Sequence, residues 1–240
     1  MTLPPEQRIK FFVNIIESPS APDIYYGRTE GALIQQAVSL NQIPCALRIA
    51  ISKEAFEYAI KFDLPEVMKN IPDRIPILHI SAHGSSNGIQ FSNQETLDWR
   101  SLRDLLMPIS VALNGSLMLC MSSCEGFSAC RMAMQIHDTN NPFFAVIGHT
   151  LKPTWADTAI AYATFYHLIA KGHYVIDAVN AMQKASGDER FSIITAQAAR
   201  QAYIEAINDI NAENVQLNLE QQAQNTPEPP SAKAFLSSNR

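Results

Sequence analysis

The chain has 240 residues, of which 47% are apolar, and a net charge of −5. This length suits one large domain with its own core. The acidic balance, without a cluster of Lys and Arg, excludes an electrostatic surface for nucleic acid. The amino-terminal segment lacks a signal-peptide pattern, and no apolar run approaches the roughly 18 residues that span a bilayer. We therefore expect a cytoplasmic protein without membrane contact.

Apolar runs typical of buried strands alternate with helical patterns along the chain. Core strands are predicted over residues 9–16, 46–51, 75–81, 116–122 and 143–149, with a short strand over 191–195. Helices are predicted over residues 30–39, 53–62, 99–109, 128–137, 154–171, 174–186 and 197–210, and a small hairpin over 89–97. Continuous apolar strands separated by helices indicate an α/β fold, with a mostly parallel sheet of about six strands and helices on both faces.

The composition changes near the carboxyl end. From about residue 211 onward the chain is rich in Asn, Gln, Glu, Ser and Pro. Pro227, Pro229 and Pro230 argue against a continuing helix, so we expect residues 225–240 to be flexible. The predicted organisation is a single domain over 1–210 and a polar extension over 211–240.

The four cysteines indicate neither a disulfide scaffold nor a metal site. They are too few for a disulfide scaffold in a chain of this length. Three residues, rather than two, separate Cys120 from Cys124, and no His pair follows with zinc-finger spacing. Because the sequence also lacks an acidic cation site and a phosphate-binding glycine loop, no metal or cofactor is expected.

Two predicted strands end in reactive side chains. One ends at His83-Gly84, and the other ends at Cys124-Glu125-Gly126. Ligands bind at the carboxyl ends of strands in open parallel sheets, so neighbouring strands would bring the imidazole and the thiol together. An imidazolium favours the nucleophilic thiolate, and the backbone N–H groups of Gly84 and Cys124 are candidate oxyanion donors. This pairing predicts a cysteine nucleophile with a histidine general base.

These motifs resemble a known family. The segments Leu78–Gly84 (LHISAHG) and Leu117–Gly126 (LMLCMSSCEG) are similar to the caspase-like fold, closest to the CHAT-type peptidases related to caspases, metacaspases and separase. Further matching positions are Val146, Ile147, Gly148, Trp155, Ala156, Asp157, Phe165, Tyr166, Gly172, Ala178 and Val179. The resemblance implies a peptidase with His83 as general base and acid and Cys124 as nucleophile.

The sequence differs from the patterns of these related families in three ways. Gly126 lies two residues after Cys124, where many CHAT-type sequences have the glycine three residues after. Ser122 stands where metacaspases carry an acidic residue that binds a basic P1 side chain, so cleavage after Arg or Lys is unsupported there. Only residues 137–142 separate the cysteine segment from the next strand, where caspases have a long cleavable linker. We therefore expect a single uncut chain.

Four further residues are candidates for the substrate pocket. Trp155 could line it or simply pack, and Asp157 is better explained as an acidic residue in the first turn of a helix. Glu125 follows the nucleophile and could contact substrate, although a solvated loop carboxylate is the simpler interpretation. His149 also ends a core strand and could face the site. Together with Ser122, the candidate substrate-binding residues are Glu125, Trp155 and Asp157.

Three functions stay open at this stage. The first is a cysteine endopeptidase acting on a protein substrate. The second is a non-catalytic partner-binding module that keeps the caspase-like fold. The third, a flavodoxin-like regulatory domain, lacks a supporting motif. CHAT-type domains are often fused to sensor domains, so the resemblance implies a separately encoded activating or sensor partner, in a bacterial defence or programmed-death system.

Overall fold

The computed structural model describes residues 2–4 and 8–224, with side chains up to residue 217. Its eight strands are β1 (Phe11–Ser18), β2 (Cys45–Ile49), β3 (Ile75–Ser85), β4 (Gly88–Gln90), β5 (Thr96–Asp98), β6 (Met118–Ser122), β7 (Ala145–His149) and β8 (Phe191–Thr195). Its helices are α1 (Ala21–Tyr25), α2 (Glu30–Leu40), α3 (Lys53–Tyr58), α4 (Leu64–Asn70), α5 (Trp99–Ala112), α6 (Trp155–Ala170), α7 (Val175–Ser186) and α8 (Ala196–Gln224). A π-helical turn joins α3 to α4, and a 3₁₀ helix, Gly126–Ala133, follows β6.

The central sheet confirms the predicted α/β fold. Its strand order is β2-β1-β3-β6-β7-β8, and only the β7–β8 pair on this path is antiparallel. The hairpin β4–β5 continues from the end of β3, as the sequence predicted. Since β3 and β6 are neighbouring parallel strands, the two segments that carry His83 and Cys124 end at the same edge.

Helices cover both faces of the sheet because both faces are apolar. In β1, Phe12 and Ile16 belong to one buried cluster, which includes residues of α3, α4 and α5. The alternating residues Val13 and Ile15 belong to a second cluster, formed with α2, α6 and α7. Alternation along a strand directs successive side chains to opposite faces, so the sheet is the middle layer of three.

Several element boundaries differ from the sequence predictions. The helix predicted over 128–137 is wrong: the chain forms a 3₁₀ helix over Gly126–Ala133 instead. This turn packs tightly on β7, where a Cβ on Gly148 would lie 2.6 Å from the Gly126 carbonyl carbon. Two short helices were missed, α1 and α4. Asp98 caps α5 as predicted, since its Oδ1 accepts the Ser101 N–H at 2.7 Å.

The chain divides into two compact units, Met1–Gln201 and Ala202–Arg240. In the described part of the second unit the chain is helical, because α8 continues to Gln224, beyond the predicted end at Ile210. The segment predicted to be flexible, 225–240, lies outside the described residues. Among the helices of the described residues, none has the length and apolar character needed to cross a membrane.

Candidate active site

The register of β3 and β6 sets the positions of His83 and Cys124. Ser81 and Ser122 are direct partners in this parallel ladder, and each lies two residues before one of the two reactive side chains. Residues two apart in a strand point to the same face, so His83, within β3, lies on the face of Ser81. Cys124 lies in the turn that follows the end of β6 at Ser122. Both residues line one small pocket of about 50 Å³, together with Ala82, Ser122, Ser123, Pro153, Trp155 and Thr158.

Glycines keep the two strand ends close together. A Cβ built on Gly84 would lie 2.8 Å from Ser123 Cβ and 2.9 Å from Ser123 Oγ. A Cβ on Gly126 would lie 2.8 Å from the same hydroxyl. The Ser123 side chain therefore lies between the two glycines, and a larger residue at either position would displace the loop that carries Cys124.

The turn after Cys124 has an unusual backbone. Glu125 has φ 52° and ψ 27°, in the left-handed region that non-glycine residues rarely adopt. Its N–H donates to the Leu151 carbonyl at 2.6 Å, which ties the turn to the segment after β7. Strained backbone of this kind occurs where the surrounding structure fixes it, often beside active sites. The bond also occupies the Glu125 N–H, so that group is not free to bind an oxyanion.

His149 stabilises the same turn through its contact with Leu151. The structure places it outside the pocket lining, fully buried, with its ring edge-on to Phe191 at 4.9 Å. Its Nδ1 accepts the Leu151 N–H at 3.0 Å, and its Nε2 lies 3.1 Å from an Asp188 carboxylate oxygen. Because Nδ1 accepts, Nε2 carries the proton and faces the carboxylate. His149 thereby fixes Leu151, which holds Glu125.

The remaining candidates have separate surroundings. Trp155 lines the pocket, with its ring 6.1 Å from the His83 ring. Asp157 completes a capping box at the start of α6, accepting the Thr154 N–H at 3.1 Å and its hydroxyl at 2.6 Å. The helix-start interpretation thus accounts for the Asp157 carboxylate. Ser122 lies at the pocket floor, and its hydroxyl donates to the Glu30 carboxylate at 2.8 Å.

The surroundings of Cys124 disfavour ionisation of its thiol. Burial raises the pKa of Cys124 above its usual value, and the nearby Glu125 carboxylate acts in the same direction. The positive charge of Lys152 opposes both effects. The sequence led us to expect a thiolate held by an imidazolium, whereas the structure favours a protonated Cys124. Such a site needs a base to remove the proton during the reaction.

A buried carboxylate beneath this pocket was missed by the sequence analysis. Glu30 begins α2, and its carboxylate contacts Ser81 on β3 as well as Ser122 on β6. These contacts join residues 51 and 92 positions apart in the sequence, so no local pattern could have revealed them. The one available signal was an acidic residue at the first position of α2. Among the described residues, no group of three His, Cys, Asp or Glu could hold a metal ion.

Comparisons with known proteins identify the fold. No family model matches the sequence, and no curated protein matches it. Among solved structures, a secreted C11 cysteine protease from Bacteroides thetaiotaomicron, solved in complex with an irreversible peptide inhibitor, matches with a TM-score of 0.52 and 8% identity, over 79% of this chain and 67% of that chain. A secreted C11 cysteine protease from the same organism, "iotapain", has a TM-score of 0.49 and 13% identity, with the same coverage. The chain therefore has the caspase-like α/β fold of the first of these proteases.

Proposed function

We propose that this chain is a cysteine endopeptidase in which Cys124 is the nucleophile and His83 the general base and acid. The observation that carries the proposal is the register of β3 and β6, which brings both side chains to one pocket from the paired positions Ser81 and Ser122. The caspase-like fold shared with a C11 cysteine protease supports it at the level of fold.

Each step of the proposed reaction has a group to perform it. His83 takes the Cys124 proton as the sulfur attacks the carbonyl carbon of the scissile bond, and the backbone N–H groups of Gly84 and Cys124 stabilise the oxyanion. His83 then protonates the leaving amine. Water hydrolyses the resulting thioester, with His83 again as the base, and the thiol is restored.

The resting site has features of a latent enzyme. The pocket beside Cys124 is small, about 50 Å³. The pKa of Cys124 is also raised by its burial. We propose that a separately encoded activating or sensor partner, in place of the sensor domains to which CHAT-type domains are often fused, opens this pocket for a protein substrate. A bacterial defence role and a cytoplasmic location are part of this proposal.

The small pocket and the raised pKa of Cys124 also favour one alternative, a partner-binding module that keeps the fold without catalysis. Labelling separates the two functions. The full chain is incubated with a peptidyl acyloxymethyl ketone, alone and with a cell extract that could supply the activating partner, and the modified residue is mapped by mass spectrometry. The peptidase proposal predicts an adduct on Cys124 that is absent from Cys124→Ala and strongly reduced in His83→Ala, with Cys130→Ala as the matched control. Labelling of Cys124 that is indifferent to His83 would favour the binding module.

A further inference from the structure

Glu30 lies beneath the candidate active site and bridges the two strands that form it. Its Oε2 accepts the Ser81 hydroxyl at 2.6 Å, and its Oε1 accepts the Ser122 hydroxyl at 2.8 Å. One buried side chain, only 5% exposed, thus joins β3 to β6 through two hydrogen bonds.

The bridge is placed where it controls the separation of the reactive groups. Ser81 and Ser122 face each other in the ladder. His83 lies two residues further along β3, and Cys124 lies two residues after Ser122, in the turn that follows β6. Beyond this register pair, β3 leaves the parallel ladder and pairs with the hairpin strand β4. The Glu30 carboxylate therefore holds the two strands together at the last paired position before the site.

Glu30 is itself firmly held. The Thr29 side chain makes no capping bond at the start of α2. Instead, the Glu17 carboxylate on β1 accepts the N–H groups of Glu30 at 2.8 Å and Gly31 at 3.0 Å. A Cβ on Gly31 would lie 2.6 Å from Glu17 Oε2, so only glycine allows this approach. The start of α2 is thereby fixed against the sheet, with the Glu30 side chain directed between the strands.

Stability alone does not account for this arrangement. Burying a carboxylate has a large desolvation cost, and apolar residues of similar volume often stabilise such a position better. His79 lies beside Glu30, with Nε2 3.9 Å from Oε2, beyond hydrogen-bond distance, and with Nδ1 bonded to the Tyr166 hydroxyl at 3.0 Å. A buried polar cluster kept beneath a reactive pair, despite its desolvation cost, is expected where geometry matters more than stability.

We propose that Glu30 is a positioning residue that sets the distance between His83 and Cys124 by bridging Ser81 and Ser122. This proposal rests on the proposed function, because it assumes that His83 and Cys124 act together in one reaction. It assigns Glu30 no contact with substrate. Loss of the bridge should leave the fold and substrate binding in place while weakening the cooperation of the imidazole and the thiol.

The test compares how Glu30 and His83 influence the reactivity of Cys124. Iodoacetamide alkylation of Cys124 in the full chain is followed by mass spectrometry from pH 6 to 10, for the wild type, His83→Ala, Glu30→Gln, Ser81→Ala and Ser81→Thr. The difference in alkylation rate between the wild type and His83→Ala measures how much His83 increases the reactivity of Cys124. Glu30→Gln should reproduce most of that difference, about tenfold at pH 7, with an unchanged circular dichroism spectrum. Ser81→Ala should have a smaller effect in the same direction, and Ser81→Thr, which keeps the hydroxyl, should restore the wild-type profile.

Each outcome has a distinct meaning. If His83→Ala changes the profile while Glu30→Gln and Ser81→Ala do not, the positioning role is wrong and the proposed dyad stands. If His83→Ala changes nothing, the dyad fails and the positioning role fails with it. A second measurement uses peptidyl ketones with Lys, Leu or Glu at the position before the electrophile. If Glu30→Gln changes the preference among these probes and leaves the alkylation profile intact, Glu30 selects substrate and the positioning role is overturned.

Discussion

Glu17 should make the folded protein lose stability as the pH rises through neutrality. Burial raises the pKa of its carboxyl from 4.5 to about 7, against the opposing hydrogen bond from the Gly31 N–H, and the nearby Glu30 raises it further. Between these two pKa values the folded chain holds a proton that the unfolded chain has released. The stabilisation from this proton is complete below pH 4.5 and is lost as the pH rises through 7.

The size of the effect follows from the two pKa values. The full difference corresponds to about 3 kcal/mol, at about 1.36 kcal/mol for each pH unit, and about 2.5 kcal/mol of it falls between pH 5 and 8. Glu17→Gln removes the titration and keeps one oxygen to accept from the start of α2. Urea unfolding at pH 5, 6, 7 and 8 should show the wild type losing about 2.5 kcal/mol more than Glu17→Gln over this range.

A matched control separates this effect from the other titrating groups. Glu54 is an exposed carboxylate on α3, and Glu54→Gln should follow the pH dependence of the wild type. Parallel stability curves for the wild type and Glu17→Gln would refute the reasoning, because they would mean that Glu17 takes up no proton on folding.

Three further predictions concern the site itself. Cys124 should react with iodoacetamide faster than the other cysteines, because burial raises the pKa of Cys45 and Cys120 to about 12 and Cys130 is buried; equal rates at all four, measured by peptide mapping, would contradict this. Gly84→Ala should lower the unfolding free energy by about 1–3 kcal/mol and slow the labelling of Cys124, because its Cβ meets Ser123. Gly115→Ala, at φ +75° with no atom near its Cβ, serves as the control and should lose stability without any change in labelling. Trp155→Ala should open the pocket and speed the labelling of Cys124 by a peptidyl ketone; an unchanged rate would mean that Trp155 does not restrict access.

The sequence predicted the parts of this molecule that depend on local pattern. The buried runs in β1, β3, β6 and β7 are continuous apolar segments, so their burial and parallel pairing followed from composition and the intervening helices. The positions of His83 and Cys124 at neighbouring strand ends followed from the same pattern, because strand ends are where a sheet presents side chains to a ligand.

The features that were missed depend on contacts between distant segments. The Glu30 bridge requires the start of α2 to lie over β3 and β6, which no periodicity encodes. The 3₁₀ helix after Cys124 arises because Gly126 and Gly148 pack backbone against backbone, whereas local propensity favoured an ordinary α-helix. Burial raises the pKa of Cys124, an effect that the sequence expectation of a thiolate did not include.

The most direct test of the central claim is the appearance of new peptide termini. A peptide library made from a digested proteome is incubated with the full chain, alone and with a cell extract that could supply the activating partner, and the new amino termini are identified by mass spectrometry. The account predicts termini that require both His83 and Cys124 and that disappear in Cys124→Ala. If the wild type and Cys124→Ala give the same termini under both conditions, the chain does not hydrolyse peptide bonds and the proposed peptidase function is wrong.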